Sequence, residues 1–430
     1  GDQGPCDAEA PTVAGHRIGL GQAVALYTGA VLGAGVLVLP GQAASLAGPA
    51  SLVAWLFLGL LGLPLAMTFA ALATAYPDAG GVATYASKAF GARAGGVAGW
   101  FYFVAVVIGH VVVPLTGGYY VAVAFHQGPG FAFVAAAAIL AIACAANLAG
   151  LRLSARLQLG VAAGVAVLLL VATVVAIPQI EPGSFTPFAP HGLSGIGQAA
   201  VVLFFAFAGW EAVAHLAGEF QDVRRDLGRA TLITVGIVLV LYLGVAFAVV
   251  STASYGTETM DRTSVGLVLG SGVGLSATTA AGVLAFVISL GTTNAFMASV
   301  SRLGYALGRD AWMPAAMSRQ TRTGVPSVSV LVVAGTGAAG LLVSYLAGWG
   351  AEDLVGLPAA LVLVTYLIGT AAAVRLLTGR SRACALLAFV LTAALAPFAA
   401  GYILLPVLVA AAALAYHQFG RRRRVRAARV

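Results

Sequence analysis

The chain has 430 residues, 60% of them hydrophobic, and only 8% carry charge. A soluble domain runs near a quarter charged, so too little polar surface exists to cover a soluble particle, and the excess apolar surface has to face lipid. The formal charge is +8, but the arginines are scattered through the chain between apolar runs, which argues against nucleic-acid binding.

Residues 1–19 are polar, with Asp2, Asp7 and Glu9 and no basic leader, and are expected to be a cytoplasmic tail rather than a cleavable signal. Apolar stretches then follow almost without pause at 20–47, 51–76, 95–125, 131–149, 157–177, 195–220, 232–250, 274–301, 326–346 and 354–374. Each can cross ~30 Å of hydrocarbon as a helix. The run 383–417 would be ~52 Å long as one helix, so it reads as two helices turning near Pro397–Gly401. The expectation is an all-α integral membrane protein with twelve transmembrane helices, in one transmembrane domain over 20–418, followed by an Arg-rich cytoplasmic tail over 419–430. With the N-terminus inside and the helices alternating, 21 of the 22 basic residues fall on the inner side, and Arg262 alone falls outside. That asymmetry follows the positive-inside rule and places both termini in the cytoplasm.

The 55 glycines suit a bundle in which small residues let helices approach closely. The three cysteines, Cys6, Cys144 and Cys384, are far apart and offer neither a disulfide framework nor a zinc site.

Two expected helices break pattern. The first carries Gly29, Gly33, Gly35 and Pro40 in mid-membrane. Unwinding there frees backbone groups that must face protein or a wet cavity, and freed N–H groups attract a carboxylate. The competing reading is a small-xxx-small packing face through Gly29 and Gly33. The second, the sixth helix, reads Phe204-Phe-Ala-Phe-Ala-Gly-Trp-Glu211. Glu211 is the one acidic residue deep in a span, where ionisable groups are costly and mark function. Glu211, His215 and Glu219 follow at i, i+4 and i+8 on one helical face. Either a proton moves along this ladder, or Glu211 holds the loosened backbone while His215 and Glu219 close an inner gate. Equivalent breaks five helices apart are the mark of inverted-repeat transporters, whose site lies at the midplane between discontinuous helices.

At these residues the chain resembles the amino acid–polyamine–organocation superfamily. The motifs run in order: Gly33-Ala-Gly35 to Pro40; Tyr76-Pro-Asp-Ala-Gly-Gly81 through Gly99-Trp100; Phe207-Ala-Gly209-Trp-Glu211; Glu219-Phe-Gln-Asp222; and Ser301-Arg302 through Arg309-Asp310. Within it, Gly209–Phe220 is most similar to the methionine and branched-chain amino acid exporter branch. The resemblance implies a LeuT-like five-plus-five inverted repeat with two further C-terminal helices, and alternating access without covalent chemistry or cofactor. It implies that backbone at Val31, Gly33, Ala34 and Gly35 receives the substrate carboxylate. Carbonyls near Phe205, Phe207, Ala208 and Gly209 would take the ammonium, with Phe205 as an aromatic gate and His110 facing substrate. His110 can equally be a structural hydrogen-bonder.

The fifth helix departs from the family, since 157–165 lacks the lysine that substitutes for sodium in many members. Either sodium takes its place, with Ser289, Thr292 and Thr293 as oxygen donors, or a proton (H+) is the coupling ion. Ordinary interhelical bonding is the alternative for those hydroxyls. No charge other than Glu211 is expected in the cavity, which favours a neutral, apolar amino acid, since a second charge would be buried unpaired. Rival readings are an uptake permease, a transporter-like sensor, and a membrane-embedded enzyme. The enzyme lacks a clustered catalytic set. Monomer and homodimer both stay open.

Overall fold

The structure, a computed structural model, describes residues 19–76, 81–150, 155–212 and 223–427. Every regular element among them is helical. In chain order these are α1 (Leu20–Val31), α2 (Leu39–Ala47), α3 (Ser51–Ala75), α4 (Gly81–Phe90), α5 (Ala92–Ala124), α6 (Pro129–Leu148), α7 (Ala155–Ala176) and α8 (Gly192–Leu203). Then come α9 (Val223–Ser251), α10 (Glu258–Arg262), α11 (Ser264–Val273), α12 (Leu275–Arg309), α13 (Ser327–Ala347), α14 (Ala351–Leu354), α15 (Gly356–Leu376), α16 (Gly379–Leu395) and α17 (Leu404–Ala427).

Nine segments among the described residues are long and apolar enough to cross a bilayer. The other three of the expected twelve are the two interrupted helices and α17. The first expected crossing divides into α1 and α2, and the sixth begins as α8 and stops at Leu203. Between α16 and α17 the chain turns through a 3-10 segment, Ala396–Tyr402, which contains Pro397. Pro lacks the N–H that a continuous helix would need there.

Burial sorts the helices. The apolar windows of α5 and of α14–α15 are 61% and 67% buried, while those of α13 and α16 are 28% and 22% buried. The last two therefore present most of their apolar surface outward, as lipid-facing helices do. α1, α2, α3, α8 and α9 pack among themselves, and α5, α6, α12 and α13 form a second set. The two interrupted helices belong to the first set and face α5 and α12 of the second.

At one end a polar network ties α2 down. Ser45 Oγ donates to Asp261 Oδ2, and Gln42 Nε2 donates to the Glu352 carbonyl at 2.8 Å. Arg262 pairs with Glu352 and with Glu258, the latter at 3.0 Å. Its guanidinium also lies 4.6 Å from the ring centroid of Tyr119. Arg262, the basic residue that stood apart in the sequence, is thus matched by acids on both sides. Burial raises the Asp261 carboxyl above its ordinary range, against the hydrogen bonds from Ser45 and the Gly256 amide.

Candidate functional site

The first break begins where α1 ends. Leu32 and Gly33 are extended, with Gly33 at φ −130° and ψ −179°, and the chain re-coils as a 3-10 turn, Ala34–Leu37, before α2. The freed polar groups find specific partners. The Ala34 N–H donates to Thr292 Oγ1 on α12 at 3.2 Å. Tyr120 on α5 donates to the Leu37 carbonyl at 2.7 Å. The Tyr242 hydroxyl on α9 lies 3.3 Å from the Val31 carbonyl and 2.9 Å from the Ala206 carbonyl, so one side chain joins both breaks.

The second break follows α8. Residues 204–209 are non-helical turns, closed by bonds such as Ala206 N–H to the Leu203 carbonyl at 2.9 Å. Gly209 takes φ +122°, which side-chain-bearing residues rarely adopt, and it sits against α1. A Cβ on Gly209 would lie 2.5 Å from the Ala30 carbonyl oxygen. The two breaks therefore touch through bare backbone.

Glu211 closes this second break on itself. Its Oε2 accepts the Gly209 N–H at 3.1 Å and the hydroxyl of Tyr366 on α15. Its Oε1 accepts the hydroxyl of Tyr102 on α5 at 3.1 Å. Tyr27 on α1 donates to the Trp210 carbonyl at 3.1 Å. Water is scarce at this depth, so the tyrosines do what solvent would do for an unwound segment in a soluble protein.

A cavity of about 290 Å³ lies between the two breaks. Of the expected site residues, Val31, Gly33, Gly35, Phe205, Ala208, Gly209, Glu211 and Thr292 line it. Phe205 crosses it: a Cβ on Gly35 would lie 2.9 Å from the Phe205 ring, so glycine there makes room for the aromatic face. Phe296 of α12 forms another apolar wall, and Glu211 is the only charged side chain lining the cavity among the described residues.

Other expected residues fall elsewhere. Phe207 does not line the cavity; it is buried against Trp55 and Tyr242. Ala34 is buried with its N–H already taken by Thr292. His110 does not line the cavity either. It is fully buried, its ring centroid 6.5 Å from that of Phe296, and its Nδ1–H donates to the Val106 carbonyl at 2.7 Å. The helical phase of α5 turns it behind the wall. The hydroxyls expected to hold sodium do not share one pocket: Thr292 faces Gly33, whereas Ser289 packs on Gly117 of α5. Of the three, Thr292 alone lines the cavity, and Ser289 and Thr293 offer buried oxygens without a hydrogen-bond partner among the described residues. His215 and Glu219 lie outside the described residues.

Sequence reasoning missed Tyr27, Tyr102, Tyr120, Tyr242 and Tyr366. A signal was present: each is a hydroxyl inside an apolar span and so requires an acceptor there.

The amino acid permease family matches residues 18–428 of the chain. An uncharacterized amino acid permease of Bacillus subtilis, YecA, is 34% identical over 92% of this chain and 94% of its own. The L-methionine/branched-chain amino acid exporter YjeH of Escherichia coli is 30% identical over 85% of this chain and 88% of its own. The gamma-aminobutyric acid permease of Escherichia coli is 27% identical over 79% and 75%.

Proposed function

The chain belongs to the amino acid permease family, and we propose that it is a secondary transporter carrying a neutral, apolar amino acid, methionine- or leucine-like, across the cell membrane by proton-coupled export. The observation that carries this reading is the cavity between the two broken helices, where Glu211 is the only charged side chain among the described residues and already engages three donors. A zwitterion needs only backbone partners there. Its carboxylate meets the N–H groups opened around Gly33 and Gly35, and its ammonium meets the carbonyls of 205–208. The side chain rests on Phe205 and Phe296. A second charge on the substrate would be buried without a partner.

Glu211 is then the coupling or gating group. Protonating it replaces an acceptor by a donor, forces a tyrosine hydroxyl to turn away, and loosens the second break. The ladder reading adds His215 and Glu219, which follow Glu211 in the sequence at i+4 and i+8 and lie outside the described residues. Twelve crossings, two inverted five-helix repeats and cytoplasmic termini complete the reading, and the arginine distribution supports that orientation.

The exporter relative supports the direction. The gamma-aminobutyric acid permease and a branched-chain amino acid permease of Bacillus subtilis, 27% identical, support uptake as the second reading.

The test is counterflow in proteoliposomes loaded with unlabelled methionine, leucine or lysine, with labelled methionine outside, with and without a pH gradient. Accumulation driven by internal methionine or leucine but not lysine, and sensitive to the gradient, is expected. Equal exchange with lysine sinks the neutral-substrate reading. Glu211→Gln is expected to abolish the gradient response, and an unchanged response removes Glu211 from proton coupling.

A further inference from the structure

Three walls of the amino acid cavity are joined beyond it. Val36, Val113 and Pro358 line the cavity on three different segments. Six residues from each, ~9 Å at helical rise, stands a polar residue of the same wall: Gln42 on α2, Tyr119 on α5 and Glu352 on α14. Gln42 Nε2 donates to the Glu352 carbonyl at 2.8 Å, and the Ala351 N–H donates to the Tyr119 hydroxyl at 2.9 Å. The walls are thus tied to one another at this level.

Arg262 of α10 fills the middle of the junction. Its Nε lies 3.1 Å from both carboxylate oxygens of Glu352, its Nη2 lies 3.0 Å from Glu258, and its guanidinium lies over the Tyr119 ring. The Arg262 and Glu352 side chains are 15% and 19% exposed, so water screens this pair far less than it screens a surface pair. Bare backbone lets α2 come close: a Cβ on Gly41 would lie 2.7 Å from the Asp261 carbonyl oxygen and 2.8 Å from its Cα. Gly41, Gln42 and Ser45 share one face of α2, and each meets α10 or α14.

These contacts restrain a segment that has a hinge. Extended Leu32 and Gly33 separate α2 from α1, so α2 can tilt without dragging α1 with it. A carrier's cavity has to reach each face of the membrane in turn. With its walls joined at Gln42, Tyr119 and Glu352, the cavity does not reach this one.

We propose that Arg262 holds an outer gate shut: the cavity opens to the outside only when Arg262 releases Glu352 and α2 tilts away from α10 about the Leu32–Gly33 hinge. The gate deepens the transport reading and rests on its orientation, which places this end outside.

The test is labelling of a Val113→Cys reporter in intact cells by a membrane-impermeant maleimide, in the full-length chain with Cys6, Cys144 and Cys384 replaced by serine. Val113 lies in the cavity wall beneath the junction and is buried, so slow labelling is expected. Arg262→Gln should raise the labelling rate roughly tenfold, the worth of one charge-assisted hydrogen bond. Gly41→Ala changes no charge but pushes α2 off the Asp261 backbone, and should raise it comparably. Arg309→Gln, which breaks an ion pair whose side chains are 62% and 56% exposed, should leave the rate unchanged. Thermal unfolding of each purified variant shows which are folded. A wild-type labelling rate in either folded gate variant, or an equal rise in Arg309→Gln, overturns the gate. A rise seen only in inside-out vesicles rejects the outer placement and the proposal with it. Labelling needs no transported substrate, so a faster rate in the gate variants beside failed counterflow would reject the amino acid and keep the gate.

Discussion

Gly209→Ala tests the contact between the two breaks most directly. The added Cβ would lie 2.5 Å from the Ala30 carbonyl oxygen and 3.1 Å from its carbon, both backbone atoms that cannot swing aside. Ordinary contact starts near 3.4 Å, so α1 has to retreat by roughly 0.9 Å or the second break has to re-form. The residue would also hold φ +122°, outside the regions open to alanine. Backbone strain and overpacking together cost ~2–4 kcal/mol. At 1.4 kcal/mol per tenfold, the state in which the breaks meet is depleted roughly 30- to several-hundred-fold. The assay is the initial rate of leucine counterflow, with thermal unfolding in detergent on the same preparation. Gly236→Ala on α9 is the control, because its Cβ meets nothing within 4 Å. Wild-type rate and midpoint in Gly209→Ala would refute the argument that these backbones must touch.

Two further predictions concern the polar contacts. Tyr366→Phe removes one of three donors to Glu211, a charge-assisted bond worth ~1.5–3 kcal/mol, and should slow transport by roughly tenfold or more. Combined with Glu211→Gln it should add little further, since both act through one contact, and additive rate losses would count against the clasp. At the opposite network, burial raises the Asp261 carboxyl, so the folded protein favours its protonated form. The stability it contributes is full below the ordinary aspartate value and is lost as pH rises through the raised one. Asp261→Asn should remove that slope from a plot of unfolding midpoint against pH, and an unchanged slope would assign it to another group.

The breaks were legible in the sequence because glycine and proline act locally. Gly33, Gly35 and Gly209 interrupt otherwise continuous apolar runs, and although Gly29 and Gly33 also allowed a small-xxx-small packing face, the recurrence of a glycine break five helices later favoured unwinding. Glu211 was legible because a carboxylate at that depth has few explanations. What holds the breaks was not legible. Tyr102, Tyr242 and Tyr366 sit in uninterrupted helices far along the chain, and which carbonyl or carboxylate each reaches depends on how α5, α9 and α15 pack. Helical phase decided the remainder. Ser289, Thr292 and Thr293 look like one face at i, i+3 and i+4, yet Ser289 turns to Gly117 and Thr292 to Gly33. His110 carries the same lesson, being turned behind Phe296 rather than toward the cavity.

The clasp around the breaks has an electrical consequence. Tyr27, Tyr120, Tyr242 and the backbone are neutral, so re-forming these bonds moves no net charge through the membrane field. A zwitterionic substrate adds none. Each elementary charge that does cross is worth ~2.3 kcal/mol per 100 mV. Among the described residues lining the cavity, Glu211 is the one charged side chain, so under the proton coupling proposed above the current recorded per molecule transported would count its protons.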